Sequence, residues 1–243
     1  MTAAPSSGPI RYSARTHVGS VRKVNEDSIL SLPELGIWVV SDGMGGHEAG
    51  DFASQSIIEA IAALPLNLDP AQKMHETRDA LQRAHRMIVN ESVKRGGVTI
   101  GATVVVLILA GEHFVCLWAG DSRLYRLRGG RVEMLSHDHS IVAELVEQGH
   151  LTWDEAENHP QANAITRAVG VGDVLEIDKR RGDVLPGDRF LLCSDGLSRY
   201  ADEMVIGHLL ASSPVETVCD ALLAIALDGG GADNISAIVV EAG

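Results

Sequence analysis

The apolar positions change rhythm along the chain, and each change marks an element. Ser28-Ile-Leu and Gly36-Ile-Trp-Val-Val are short apolar runs separated by Pro33, which predicts a strand, a turn and a second strand. From Glu48 to Leu64 the apolar residues Ala49, Phe52, Ala53, Ile57, Ala60, Ile61 and Leu64 recur at helical spacing, and Pro65 ends the pattern. Pro70 opens a second helical stretch reaching about Lys94, with Met74, Leu81, Ala84, Ile88 and Val89 on one side. The rhythm then turns β-like. Thr103 to Leu109, Phe114 to Ala119, Arg123 to Arg128 and Val132 to Leu135 are separated by Ala-Gly-Glu, Gly-Asp-Ser and Gly-Gly, and read as an antiparallel meander. A short helix is predicted over Ser140 to Gln148, followed by a polar, irregular stretch over 149–164 containing Trp153, His159 and Pro160. Strands return at Val174 to Arg180 and Arg189 to Cys193. Helices follow near Asp202–Leu210 and Pro214–Leu227, and a last strand runs from Ile235 to Val240. Strands fall in groups, and so do helices. That order predicts antiparallel sheets packed with helices, an α+β fold, rather than a doubly wound parallel sheet.

Composition narrows the function classes. The 243 residues allow one large domain or two small ones. An apolar fraction of 45% supplies ample core. The formal charge is −13, from 20 basic and 33 acidic residues, which argues against binding a nucleic-acid backbone. Cys116, Cys193 and Cys219 lie far apart without a CxxC spacing and read as buried, reduced thiols. The start, Met1 to Pro9, is small and polar, and residues 1–10 read as a loose tail. The longest apolar run, Ala102 to Ala110, is strand-sized, so no membrane span is expected and the chain reads as soluble and cytoplasmic.

The informative chemistry lies in where the aspartates fall. The run Gly36 to Ser41 ends in Asp42-Gly43, and Arg189 to Ser194 ends in Asp195-Gly196. Phe114 to Gly120 ends in Asp121-Ser122, and the last strand is preceded by Asp233-Asn234. Neighbouring antiparallel strands run oppositely, so the end of one lies beside the start of the next, and four such carboxylates can converge on one edge. Carboxylates held together repel unless they are protonated or bound to cations. All-oxygen ligands suit Mg²⁺ or Mn²⁺ rather than zinc. Single Asp-Gly or Gly-Asp pairs are ordinary turns. Four at strand boundaries, two of them in Ser-Asp-Gly, point to a metal site. Near the N-terminus, Arg22 stands four residues before the pair Glu26-Asp27, a group that on spacing alone reads as a solvated charge cluster.

Together these segments resemble the metal-dependent protein phosphatases, the type 2C serine/threonine family. The matching stretches run in the family's order: Thr16 to Asp27, Ser41 to Gly46, Gly101 to Thr103, Ala119 to Arg123, Ser136 to Ser140, Asn163 to Gly170, Leu192 to Leu197 and Gly231 to Ser236. The resemblance covers about residues 11–241 and is similar to bacterial stand-alone members. It implies a four-layer α-β-β-α sandwich in one catalytic domain over 11–243, with a flap at about 141–162 beside the active site. It implies two Mn²⁺ or Mg²⁺ ions bridged by Asp42, with the Gly43 carbonyl and Glu26 on one ion and Asp195 and Asp233 on the other. Asp121 with Asp195 would form a third site, Asp27 and Asn234 would stand behind the ligands, and Arg22 would hold the phosphate. The implied mechanism is in-line attack on phosphorus by hydroxide formed between the two ions. The implied substrates are phosphoserine and phosphothreonine proteins, among them a Ser/Thr kinase and its targets, and the chain is expected to act as a monomer. One departure is Met44, where animal members carry a histidine proposed as general acid. His47 is the nearest substitute and is expected to matter little. His17, His137 and His139 carry no assigned chemistry. The rival reading is a catalytically silent type 2C fold acting as a binding module, which predicts a lost metal ligand.

Overall fold

The computed structural model describes residues 10–45, 49–152, 155–156 and 159–243. Two antiparallel sheets stack face to face, and each carries helices on its outer face. One sheet has the order β1 (Arg11–His17), β11 (Ile235–Glu241), β10 (Arg189–Cys193), β7 (Arg123–Arg128), β8 (Arg131–Met134). The other has the order β2 (Asp27–Leu32), β3 (Ile37–Met44), β5 (Val104–Ala110), β6 (His113–Ala119), β9 (Asp178–Asp183), with the short β4 (Gly101–Ala102) pairing the end of β3. The helices α1 (Ala49–Ala62) and α2 (Pro70–Lys94) cover the second sheet. The helices α5 (Glu203–Ser212) and α6 (Val218–Asp228) cover the first. Two short helices, α3 (Ile141–Glu147) and α4 (Asp195–Ser198), lie near the mouth of the sandwich. This is the four-layer α-β-β-α architecture of the α+β class.

The central strands are apolar on both faces because both faces are buried. In β3, Ile37 and Val39 pack outward under the helices while Trp38 and Val40 face the other sheet. In β5, Val104, Val106 and Ile108 face the helices and Val105, Leu107 and Leu109 face the opposing sheet. In β11, Ala237 and Val239 meet α6, while Ile238 and Val240 enter the layer between the sheets. Each such side chain contributes roughly 1.5–3 kcal/mol on full burial. Helix α2 starts where Asp69 and Gln72 exchange hydrogen bonds as a capping box with Pro70 in the first turn. Ser140 caps α3 and Asp202 caps α5.

Three sequence expectations need correction. The four strands from 103 to 135 are not one meander. β5 pairs β6 and β7 pairs β8, but β6 and β7 lie in different sheets. The chain changes sheet at Gly120-Asp121-Ser122, where Gly120 has φ +114° and a Cβ would lie 2.6 Å from Thr103. The strand expected over 174–180 runs instead over Asp178–Asp183, and Leu175 and Ile177 plug the helix-side core. The strand β1 was not expected at all. All three cysteines are buried and free. Among the described residues no helix is long and apolar enough to cross a membrane.

Candidate metal centre

The sheet directions bring the aspartates together. β3 and β6 both run antiparallel to β5, so Asp42, in the last residues of β3, and Asp121, just after β6, come to the same edge. β10 runs antiparallel to β11, so Asp195 at the end of one lies beside Asp233 at the start of the other. A cleft of about 380 Å³ opens there, lined among others by Arg22, Glu26, Asp42, Gly43, Asp121, Asp195 and Asp233. All the residues expected to bind metal therefore border one cavity. Asp27 sits behind it, opposite Asp42 in the β2–β3 register.

The two Asp-Gly pairs owe their glycines to backbone crowding. A Cβ on Gly43 would stand 2.2 Å from the Gly50 carbonyl oxygen and 2.6 Å from that of Glu26. A Cβ on Gly196 would stand 1.9 Å from the Asn234 carbonyl oxygen. Asp42 is fixed through its backbone. Its N–H donates to Thr103 Oγ1 (3.2 Å), its carbonyl accepts from Thr103 N–H (2.8 Å), and Thr103 Oγ1 bonds Ser122 Oγ (2.7 Å). Asn234 clamps the N-terminal loop. Its Nδ2 donates to the carbonyls of Val18 (2.9 Å) and Val24 (3.0 Å), and its Oδ1 accepts from Glu26 N–H (2.8 Å). Asp27 Oδ2 accepts from Ser194 Oγ (2.8 Å) and Ser236 Oγ (2.6 Å).

The electrostatics are those of a site short of positive charge. Burial, then the charges of Asp27, Asp195, Asp121 and Asp233, hold the Asp42 carboxyl well above the ordinary range. Burial pushes Asp27 up to about 7 against the two serine hydroxyls that favour its charged form, with Asp195 and Asp233 adding to the rise. Burial and Asp195 push Asp121 up to about 7 as well. Glu26 Oε1 and Asp27 Oδ1 are buried without a hydrogen-bond partner among the described residues. Orphaned carboxylate oxygens among raised carboxyls are the chemistry of an all-oxygen cation site. Among the described residues no three ligand-type side chains yet converge on a point where an ion could sit. Arg22 Nη2 instead donates to Asp233 Oδ2 (2.9 Å) and Arg199 Nη2 to Asp195 Oδ2 (2.5 Å). The donor set fits Mg²⁺ or Mn²⁺, and these two guanidiniums occupy the carboxylates such ions would take.

Arg199 had no role in the sequence reading. It follows Asp195 by four residues, so α4 sets both on one face, and its Nη2 also donates to Asn163 Oδ1 (2.8 Å) on the far side of the cleft. That i, i+4 spacing was the available signal. The flap expected at about 141–162 lies partly outside the described residues. The N–H of Ile141, at its start, donates to the carbonyl of Ala164, just past its expected end (2.9 Å), and Asn163 and Ile165 line the cleft beyond it. His47 and Trp153 also lie outside the described residues. Met44 lines the cleft. His17 is a turn residue, its Nδ1 accepting from Gly19 N–H (2.9 Å). His139 is wedged between Gly120 N–H and Asp178, and burial keeps its ring below the ordinary histidine range.

Comparison with known proteins gives the same direction. The protein phosphatase 2C family model matches residues 17–238. The serine/threonine protein phosphatase PstP of Mycobacterium tuberculosis is 36% identical over 234 residues, covering 96% of this chain and 45% of that protein. The chain thus spans about half the length of that curated relative. The serine/threonine phosphatase stp of Listeria innocua is 32% identical over 236 residues, covering 93% of this chain and 94% of its own. Among solved structures, PppA, described as a key regulatory component of T6SS in Pseudomonas aeruginosa, superposes with a TM-score of 0.91 at 44% identity, over 98% of this chain and 99% of its own. The catalytic domain of PstP in complex with two manganese ions superposes with a TM-score of 0.87 at 32% identity, over 96% of this chain and 98% of its own. On its carboxylate-lined cleft, its four-layer fold and a match running nearly end to end, the chain belongs to the protein phosphatase 2C family.

Proposed function

We propose that this chain hydrolyses phosphoserine and phosphothreonine esters in proteins, using divalent cations held at the edge of the two sheets. The observation that carries the reading is the acidic cleft itself. Asp42, Asp121, Asp195, Asp233 and Glu26 border one cavity, with the orphaned oxygens and raised carboxyls of a cation site and the guanidinium of Arg22 at its rim. Asp42 would bridge two Mn²⁺ or Mg²⁺ ions, the Gly43 carbonyl and Glu26 would serve one, and Asp195 and Asp233 the other. Asp121 with Asp195 would offer a third place. Ions bound there supply Lewis acidity for the attacking water and charge for the phosphoryl oxygens.

The chain's own groups do the rest. Arg22, half-exposed and paired with Asp233, is free to turn its fork onto a phosphate once Asp233 binds a cation. Asn234 and the serines around Asp27 hold the ligand-bearing loops in register. Met44 cannot donate a proton to the leaving alcohol, and solvent rather than a side chain is the source proposed here. The carboxylates expected of a working enzyme are all present, which disfavours a silent binding module. Bacterial relatives named as Ser/Thr protein phosphatases support phosphoproteins as substrates, and a Ser/Thr kinase that the enzyme would oppose enters the proposal by analogy.

The test is hydrolysis of a phosphothreonine peptide and a phosphotyrosine peptide, each with Mn²⁺ and after exhaustive EDTA treatment. Turnover of the phosphothreonine peptide only with metal is expected. Full turnover after chelation would remove the metal reading. Turnover confined to phosphotyrosine would remove the substrate reading.

Arg22→Ala should lower kcat/KM without preventing metal binding. Loss of a charge-assisted bidentate contact costs about 1.5–3 kcal/mol, roughly 10- to 150-fold in kcat/KM. Kinetics on the peptide, alongside a Mn²⁺ titration, check both halves. An unchanged kcat/KM would reduce Arg22 to a surface charge.

A further inference from the structure

The layer between the sheets is apolar through most of its extent, from Trp38 and Val40 to Leu124 and Phe190. At one side it ends in arginine. The edge strands there are β8 and β9, one from each sheet. Side chains alternate along strands, and Leu124 of β7 faces the layer between the sheets, so Arg126 and Arg128 follow it to the same side. Arg180 comes from β9 to meet them. These residues bind across the seam. Arg180 Nη2 donates to Glu133 Oε1 (2.5 Å), and Arg126 Nη2 donates to Glu133 Oε2 (2.8 Å). Arg128 donates to both oxygens of Asp188 (2.7 and 2.5 Å). A cavity of about 310 Å³ is lined by Arg126, Arg128, Arg131 and Glu133.

The charge does not balance. Four guanidiniums face two carboxylates, and exposed Arg131 pairs with none of the described carboxylates. Asp183 is close to Arg128, but its carboxylate turns to His113 (3.1 Å), and counting it still leaves a positive excess. Glu133 is held below the ordinary range, because Arg180 and Arg126 outweigh its burial, so its charge is already committed. Arg126 Nε is buried with no hydrogen-bond partner among the described residues. A partnerless buried donor leaves the Arg126 guanidinium short of acceptors, and that side chain is one of those that line the cavity. All this lies on a chain with a net charge of −13, where a basic cavity is the exception.

We propose that the cavity between β8 and the end of β7 is a second oxyanion site, separate from the metal centre, that takes a phosphate group. Arginine forks match the paired oxygens of phosphate, and the positive excess favours an anion. The site is remote from the chemistry. β7 begins at Arg123, opposite Cys193 at the metal end, and Arg128 stands about 17 Å further on at ~3.4 Å per residue. Two sources offer this chemistry: a second phosphorylated side chain on a bound protein, or the free phosphate released by the reaction. The assignment to either source rests on the phosphatase reading; the anion site does not.

The test follows the arginine Nε–H resonances of the Mg²⁺-loaded full chain during titration with inorganic phosphate. Arg126 and Arg128 are assigned by their loss in Arg126→Lys and Arg128→Lys. Saturable shifts of both in the millimolar range are expected. Arg131→Glu, which breaks no ion pair, should weaken them about tenfold or more, the effect of losing one charge-assisted contact, and Arg131→Gln by less. Resonances flat to tens of millimolar phosphate, or an Arg131→Glu chain that titrates like the wild type, would overturn the site. A non-hydrolysable phosphonate analogue of a phosphothreonine peptide separates the sources. Displacement of phosphate by the analogue assigns a phosphorylated side chain, and its failure to compete assigns the free product. Hydrolysis of p-nitrophenyl phosphate should be unchanged in Arg131→Glu. Its absence from the wild type would count against the phosphatase reading while leaving the phosphate titration intact.

Discussion

Asp42→Asn is expected to abolish phosphoester hydrolysis while leaving the chain folded. Asparagine has the same shape as aspartate, and the position is fixed by backbone bonds to Thr103 that the substitution keeps. What it removes is one charge from a carboxyl already destabilised by burial and four neighbouring aspartates. In metal-free protein the variant should therefore be as stable as the wild type or more so. With metal, the loss should be large, because Asp42 is assigned to both ions at once. Removing a single preorganised electrostatic group costs about 10²–10³-fold, and a bridging ligand should reach at least the upper end. The check is kcat/KM on a phosphothreonine peptide at saturating Mn²⁺, beside thermal melts with and without metal. Near-normal turnover would take Asp42 out of the bridging role, and an unfolded variant would show that the site is needed for the fold.

Much of this site was legible because strand ends are marked twice, once by the stop of the apolar run and once by Asp-Gly or Gly-Asp. Both faces of β3, β5, β10 and β11 are buried, so their runs are nearly continuous and hard to miss. The strands that escaped notice sit at edges. β1 reads Arg-Tyr-Ser-Ala-Arg-Thr-His, and its arginines reach outward to Glu241, Glu216 and Asp220 rather than into a core. Only its pairing with β11 makes it a strand. β9 reads Asp-Lys-Arg-Arg-Gly-Asp, which has little intrinsic β preference and is carried by its pairing with β6. The apolar Val-Leu-Glu-Ile just before it looked the better strand, yet Leu175 and Ile177 are used as plugs under the helices. The change of sheet at Gly120 was beyond reach for another reason. A short Gly-Asp-Ser link suits a hairpin as well as a crossover, and only tertiary packing chooses. Arg199 shows the converse: the spacing to Asp195 was in view, but its meaning depends on Asn163 lying across the cleft.

The metal-free chain should lose stability as pH rises from about 4 to about 7, and Mn²⁺ or Mg²⁺ should restore it. The sign follows from the direction of the carboxyl shifts. Asp27 and Asp121 titrate near 7 in the folded chain, against about 3.9 when unfolded. Between those values the native state holds protons that the unfolded state has released, so each step up in pH favours unfolding. For Asp27 alone the span from 3.8 to about 7 corresponds to about 4 kcal/mol, or roughly 8–16 °C in Tm for a domain of this size. The carboxyls share one cluster, so the contributions of Asp27, Asp121 and Asp42 do not add. Two histidines oppose the trend. Burial holds His85 and His139 below the ordinary range, so they withdraw stability as pH falls below about 6.5. The decisive quantity is therefore the difference between Asp27→Asn and wild type. The asparagine oxygen can still accept from Ser194 and Ser236, so the variant loses the titration and keeps the bonds. Its Tm relative to wild type should climb between pH 4 and pH 7.5 in EDTA. Added Mn²⁺ should raise the wild-type Tm far more at pH 7.5 than at pH 5, because cations bind only the deprotonated carboxylates. A Tm difference that stays flat with pH would mean that Asp27 ionises in the fold as readily as in water, and the charge-starved cleft would lose its main support.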